Sequence, residues 1–324
     1  MTMQVFTIAA QRKKGAQMKR NFALLICLGL LMAASSAVLA QGPGGDWISS
    51  IACQNLDSEN AAEITLSFYP QGSDTVVASH HDSIPAGNSR LYHTTDADIG
   101  VPADFLGSVV VSSLQPVVCS VNTQNSGTGT SDDPYRIASS SGLDETEVAS
   151  VMYAPQVMKA YWGWNSYISV QNASQVSISV QVSYKDRDGE DMPAAIETAT
   201  IPGLSNMVFY QSENAAIPSD FVGAAKVTVS DPADAKMAVV VNFYNSGSDA
   251  STSQFHSYNG ASAGAVKLYV PRVVRRFYGY NSGITIQNVS NIDTTVSLNF
   301  NFAGESFSYQ SDTINPSTAV VLYL

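Results

Sequence analysis

The chain has 324 residues, of which 45% are hydrophobic and 13% charged, and its formal charge is −11. Five of the 16 basic residues and none of the 27 acidic ones precede Gln41, so residues 41–324 carry 11 positive against 27 negative charges, a balance of −16. A surface that acidic repels nucleic acid and anionic lipid, which excludes both as expected partners, and the chain is long enough for two or three cored domains.

The first elements concern export. Arg12 to Arg20 contain five basic side chains, an apolar run spans Phe22 to Met32, and small residues end at Ala37-Val38-Leu39-Ala40. A positive segment, a short apolar segment and small residues at a cleavage point define a secretory signal peptide. Residues 1–40 are therefore expected to form a cleavable signal-peptide helix, leaving Gln41 at the new N-terminus. The run falls short of the roughly 20 residues of a spanning helix, so no membrane span is expected after cleavage. Lys19-Arg20 directly after Met18 marks Met18 as the expected translation start. Bulky Ile26 before Cys27 does not fit a lipoprotein cysteine.

Downstream, the sequence repeats. Trp47-Ile-Ser-Ser-Ile51-Ala-Cys53-Gln54-Asn55 aligns without gaps with Trp164-Asn-Ser-Tyr-Ile168-Ser-Val170-Gln171-Asn172 and Tyr280-Asn-Ser-Gly-Ile284-Thr-Ile286-Gln287-Asn288. Pro102-Ala-Asp104-Phe105-Leu-Gly107 recurs as Pro218-Ser-Asp220-Phe221-Val-Gly223, and Val121-Asn122 as Val241-Asn242. A period held through so many landmarks is the signature of tandem structural units. The expected division is unit 1 at 41–140, unit 2 at 155–258 and an incomplete unit 3 at 268–324.

Within each unit, apolar residues alternate in Ile64-Leu66-Phe68, in Ile178-Val180-Val182-Tyr184 and in Val296-Leu298-Phe300-Phe302. Period two predicts half-buried antiparallel strands. Turn residues follow each run, at Pro70–Asp74, Asp186–Glu190 and Ala303–Glu305. Further strands are predicted near Asp74–Ser79, Ser89–His93, Ser108–Ser113 and Val117–Thr123. Short strands with frequent turn signals predict an all-β fold of tandem Ig-like antiparallel β-sandwich units, with an up-and-down barrel as the alternative. Gly/Ser/Asp-rich connectors at Asn125–Asp133 and Asn245–Ser253 are expected between units.

Cys53 and Cys119 replace positions that are aliphatic elsewhere in the repeat, Val170 or Ile286 and Val239. Both are thus expected to point inward, and in an oxidising compartment to form a disulfide.

Residues capable of chemistry do not assemble in the sequence. Asp186-Arg-Asp188-Gly189-Glu190-Asp191 opens like a calcium loop but lacks the distal Glu, and reads as a hairpin turn. His80 and His81 are adjacent on a predicted strand and so face opposite sides. His93 and His256 have no paired spacing, and no nucleophile elbow is present. Asp104 and Asp220 are expected to shape turns, and Asn172-Ala-Ser174 and Asn288-Val-Ser290 are sequons for a glycosylating host. No catalytic residue, cofactor or metal is expected.

The aromatic–glycine segments are the candidate site: Tyr161-Trp162-Gly163-Trp164-Asn165 and Phe277-Tyr278-Gly279-Tyr280-Asn281, with Trp47 in unit 1. Lys159 or Arg275 precedes each full copy. Such aromatics either pack the junction between units or form a platform for sugars or proteins. At these motifs, with Ile-x-Val-Gln-Asn and Pro-x-Asp-Phe-x-Gly, the chain resembles large secreted bacterial tandem-repeat proteins with Ig-like β-sandwich units. That resemblance covers Asp46 to Leu324 and implies a cell-surface or matrix role with no activity. The expectation is a non-catalytic secreted or cell-surface structural or adhesive protein whose partners are other surface or matrix proteins, or glycans. The alternative is a carbohydrate-binding accessory protein using exposed aromatic loops.

Val320–Leu324 aligns with Arg90–Tyr92 and Val208–Tyr210, so unit 3 is expected to lack the two strands that follow in unit 2. Two explanations stand at this point: a truncated gene product, or self-association in which another chain supplies a strand to unit 3.

Overall fold

The computed structural model describes residues 46–125, 135–246 and 253–324. The expected signal peptide, with Met18 and Cys27, lies outside them, as does most of both connectors.

The described chain is almost entirely strand. Unit 1 contributes β1 (Trp47–Asn55), β2 (Ala62–Pro70), β3 (Ala78–Ile84), β4 (Ser89–His93), β5 (Gly107–Ser113), β6 (Val117–Asn125) and β7 (Arg136–Ser141). They form two antiparallel sheets, ordered β4-β1-β6-β7 and β3-β2-β5. Unit 2 contributes β8 (Val151–Lys159), β9 (Trp164–Asn172), β10 (Ile178–Asp186), β11 (Glu197–Ile201), β12 (Asn206–Tyr210), β13 (Phe221–Asp231), β14 (Met237–Ser246) and β15 (Ser253–Asn259). Their sheets are β12-β9-β14-β15 and β11-β10-β13-β8. Unit 3 contributes β16 (Gly283–Gln287), β17 (Ser297–Phe302), β18 (Glu305–Gln310) and β19 (Ala319–Tyr323), paired as β16-β19 and β17-β18.

The fold is a tandem of antiparallel β-sandwich units, as the alternation predicts. In unit 2, Ile168 and Val170 of β9 meet Ile178, Val180 and Val182 of β10 across the sandwich, all essentially without exposure. Unit 1 repeats the core with Ile51, Cys53, Ile64, Leu66 and Phe68. Each such side chain stabilises the sandwich by about 1.5–3 kcal/mol relative to exposure. In the immunoglobulin order the first strand flanks the second, and the last flanks the one before it. Here β8 flanks β13 rather than β9, and β14 flanks β9 rather than β13, with β15 added outside β14.

Several boundaries differ from expectation. β3 begins at Ala78 rather than Asp74, because Ala78 and Ile84 supply its buried positions while Val76 and Val77 stay exposed. Strand β8 was not expected, since Pro155 interrupts its run; the ladder with β13 shifts register between Gly223 and Ala225, where Pro155 sits opposite the irregularity. Strands β7 and β15 were also not expected, their runs being rich in Ser. The alignment of Tyr92 with Tyr210 slips by one. Ile51 opposes Tyr92 and Ile168 opposes Phe209, so Tyr92 and Phe209 share the inward position.

Consecutive units meet through repeated contacts. The β2–β3 turn of unit 1 seats on the β11–β12 loop of unit 2: Ser205 Oγ donates to the Pro70 carbonyl (2.9 Å), the Ser73 amide donates to Ser205 Oγ (3.0 Å), and the Gly72 amide donates to the Asn206 carbonyl (3.1 Å). Beside this, β7 lies along β15, with Ser257 Oγ donating to the Ser139 carbonyl and Asn259 Nδ2 to the Ser141 carbonyl. The corresponding turn of unit 2 reaches unit 3 at the counterpart of Ser205, which is Thr318. A Cβ on Gly189 would come within 2.8 Å of Thr318 Oγ1.

Candidate functional site

The aromatic–glycine motif is a two-residue hairpin turn. Tyr161 and Trp164 exchange backbone hydrogen bonds of 3.0 and 2.9 Å, and Trp162 (φ 50°) and Gly163 (φ 82°) between them are left-handed. A pair of positive φ angles makes the primed turn that suits the twist of the flanking strands, and glycine is the residue that accepts it without strain. Asn165 Oδ1 accepts from the Ala160 amide (2.9 Å), which stabilises the approach. Phe277–Asn281 reproduces the turn, with Tyr278 at φ 49°, Gly279 at φ 83° and Asn281 Oδ1 accepting from the Arg276 amide. The glycine and the asparagine of the motif are thus explained as turn chemistry.

Its aromatic members divide by environment. Tyr161 is buried, and Trp164 packs against the unit 2 core with its ring 5.0 Å from His256. Trp162, at the turn's tip, is 70% exposed and stacks on Tyr161 with centroids 4.9 Å apart. Trp47 of unit 1 lies 4.7 Å from Phe255 of unit 2, beside Ala138 and Tyr244. Phe277, Tyr278 and Tyr280 of unit 3 are all exposed.

Around Trp162 the structure brings together residues distant in sequence. Tyr323 of β19 approaches Trp162 to 5.9 Å, and the Arg187 guanidinium lies 5.3 Å from the centre of the Tyr161 ring. Tyr161, Arg187 and Tyr323, with Tyr309 and Asp312, line a cleft of about 340 Å³ between units 2 and 3, and Trp162 stands beside it against Tyr161 and Tyr323. Partial burial, and then the neighbouring Tyr161 hydroxyl, push the Tyr323 phenol above its ordinary pKa, with Arg187 opposing. The cleft can offer flat aromatic faces, a fixed cation, a carboxylate and phenolic hydroxyls.

In the sequence Arg187 belongs to a turn and Tyr323 to an aligned strand, and Tyr309 and Asp312 carry no signal, because only tertiary pairing places all four here. Lys159, expected to serve the platform, instead donates to the Asn214 carbonyl (2.8 Å). In the calcium-like turn, Asp186 Oδ1 accepts from the Asp188 and Glu190 amides, both at 2.9 Å, and Asp191 pairs with Lys185 at 2.9 Å. Among the described residues no group of three or more His, Cys, Asp or Glu is placed to hold a metal ion. His80 faces the Asp98 carbonyl and His81 the Thr65 hydroxyl.

The remaining motifs are structural. Asn172 is fully buried; its Nδ2 donates to the carbonyls of Val176, Ile201 and Pro202, while Oδ1 accepts from the Ser174 amide. Asn288 repeats the arrangement with Ile292, Ile314 and Ser290. Both sequon nitrogens are therefore engaged inside the fold. Asp104 and Asp220 adopt φ of 59° and 65° in turns. Three positions later, a Cβ on Gly107 or Gly223 would collide with the carbonyl of Tyr69 or Lys185, which explains the glycine of Pro-x-Asp-Phe-x-Gly. Cys53 and Cys119 are bonded, directly opposite each other on β1 and β6. A disulfide fits an oxidising compartment. Among the described residues no helix is long and apolar enough to cross a membrane.

Comparison with protein-family models, curated proteins and solved structures finds no match.

Proposed function

We propose that this chain is a non-catalytic secreted or cell-surface protein with a structural or adhesive role, in which sandwich units are strung together to present binding faces. The observation that supports the reading is the repeated seam. The same turn of one unit seats on the same loop of the next, through Ser205 between units 1 and 2 and beside Thr318 between units 2 and 3. A seam placed at the sequence period supports a set angle between successive units, which an extended spacer requires. The disulfide supports the exported location. Small-angle X-ray scattering on the purified chain tests this: a rigid elongated particle is expected, and a flexible chain of independent units would overturn it.

The cleft supports a second reading, a carbohydrate-binding accessory protein. Trp162 at the rim and Tyr323 in the cleft, both exposed, offer faces on which sugar rings stack, with Arg187 and Asp312 of the lining available for hydroxyl groups. A glycan array separates the two readings. Binding of a defined glycan that disappears in Trp162→Ala would favour the second.

A further inference from the structure

We propose that the segment 267–274 of one molecule adds, in a second copy, as a strand to the edge of β5 that no described strand covers, linking unit 3 of one chain to unit 1 of the next. The inference starts from a position that unit 2 fills and unit 1, among the described residues, does not. In unit 2, β13 is flanked on one side by β10 and on the other by β8. Among the described residues its unit 1 counterpart, β5, pairs with β2 alone. The consequence is visible in burial: Ala225 and Val227 of β13 are fully buried, whereas the equivalent Val109 and Val111 remain partly open. An edge of this kind presents unpaired amide and carbonyl groups beside apolar side chains, and is a template for another strand.

The complementary piece is present elsewhere in the same chain. Residues 267–274 of unit 3 are the repeat counterparts of β8: Tyr269 matches Tyr153, Pro271 matches Pro155 and Arg275 matches Lys159. In β8 the inward residues Met152 and Ala154 have no exposure; their counterparts Leu268 and Val270 are 75% and 58% exposed. Among the described residues, 266–273 form no strand and make no backbone hydrogen bond, and the segment is tied down only at Val274, which exchanges bonds with Ser282. It is a strand sequence without a sheet.

Charge decides the occupant. Residues 267–276 hold Lys267, Arg272, Arg275 and Arg276 and no acid, four of the 11 basic residues after Gln41. Residues 46–125 hold nine acidic residues against Arg90 alone, a balance of −8, and Arg90 is already paired with Asp82 at 3.6 Å. A basic strand facing an acidic unit is drawn to it and oriented by it. Register follows from the β8–β13 ladder, in which Ala154 opposes Ala225, Tyr153 opposes Lys226 and Met152 opposes Val227. Transferred by repeat position, Val270 opposes Val109, Tyr269 opposes Val110 and Leu268 opposes Val111. The two aliphatic pairs then point into the unit 1 core. The contact is head-to-tail, so it propagates into linear assemblies unless the rotation closes a ring.

The test mixes two whole-chain variants, Val110→Cys and Tyr269→Cys, under mild oxidation. A dimer joined through these two cysteines is expected, identified by mass spectrometry of the linked peptides and absent when either variant is oxidised alone. Light scattering on the unmodified chain should show oligomers that dissociate as salt rises. Val270→Asp should weaken the association about tenfold or more by placing a charge opposite Val109. Hydrogen exchange in the intact β9–β14 ladder serves as the check that this variant is folded. A strictly monomeric chain at low salt, a mixture giving no linked peptide, or association unchanged in folded Val270→Asp would each overturn the proposal.

Discussion

Ser205 and Pro70, 135 positions apart, meet in a hydrogen bond of 2.9 Å that joins the turn of one sandwich unit to the loop of the next. The same hydroxyl accepts from the Ser73 amide at 3.0 Å, so one fully buried oxygen satisfies both a donor and an acceptor of the neighbouring unit. Ser205→Ala removes both bonds across the seam and leaves the Ser73 amide and the Pro70 carbonyl only their own turn bond of 3.1 Å. The expected loss is about 1 kcal/mol, read from urea denaturation. The variant should also widen the angular spread between units 1 and 2 in scattering. A stable variant with unchanged scattering would show that the seam is held elsewhere.

The disulfide gives a second prediction. Cys53–Cys119 closes a separation of 66 residues, which on the chain-entropy model stabilises the native state by about 4 kcal/mol. The double replacement Cys53→Val with Cys119→Val reproduces the Val170–Val239 pair of unit 2, which occupies the same register. It should therefore fold, with the midpoint of unit 1 unfolding lowered and that of unit 2 unchanged. Non-reducing denaturation monitored by hydrogen exchange in each unit separates the two transitions.

Much of this fold was legible because it is written twice or three times. Alternation in Ile178–Tyr184 marked a strand, and the apolar equivalents of Cys53 and Cys119 placed both cysteines in the core before any contact was visible. The repeated Asn172 and Asn288 were legible as positions but not as roles, since three acceptor carbonyls from other segments define what the amide does. Strand β8 carries no regular alternation, because Pro155 breaks its run, and the ladder accommodates the proline where the register shifts. The cleft was legible by half. Tyr161 and Trp162 stand in a motif, whereas Arg187 and Tyr323 reach it only through the pairing of β10 and β19 with strands elsewhere in the chain.

Alkaline pH should weaken unit 2. Tyr184 is buried, with its hydroxyl donating to Glu197 Oε2 at 2.7 Å and accepting from Gln211; burial first, and then the Glu197 charge, hold its pKa well above the usual tyrosine value. Tyr210 is pushed up to about 12, again chiefly by burial. A raised folded-state pKa keeps the neutral phenol in the native state while the unfolded chain ionises near its ordinary value of about 10. Stability contributed by these groups is thus fully present below about pH 10 and is lost as pH rises towards their folded-state values. Denaturation midpoints should fall across that window. Tyr184→Phe, which adopts the residue of the unit 1 counterpart Phe68, should flatten the fall while lowering stability at neutral pH by about 1 kcal/mol. An equally steep fall in the variant would assign the alkaline sensitivity to other groups.

Asn172 supplies a further measurement. Its amide donates to three carbonyls, and replacing it with Asp places an acceptor against acceptors in a fully buried site. Asn172→Asp should cost about 3 kcal/mol or more, with the largest effect at neutral pH where the carboxylate is charged. Expression in a glycosylating host should leave Asn172 and Asn288 of the folded chain unmodified, which intact-mass measurement reads directly.

The two tryptophans of one turn should behave as opposites. Trp164 packs on the unit 2 core beside His256, whereas Trp162 stands 70% exposed at the tip, stacked on Tyr161 and near Tyr323. Truncating Trp164 removes buried apolar surface, so Trp164→Ala should lower stability by about 2–4 kcal/mol. Truncating Trp162 removes surface that is mostly in water already, and Trp162→Ala should change stability by less than about 1 kcal/mol. If the tip served only to pack units 2 and 3 together, Trp162→Ala would loosen that seam, and hydrogen exchange at β19 would rise. If it serves as a ligand platform, exchange at β19 stays at the wild-type level while binding to an immobilised glycan or surface partner is lost. Measuring stability, β19 exchange and binding on the same two variants separates packing from recognition, because Trp164→Ala controls for damage to the turn itself.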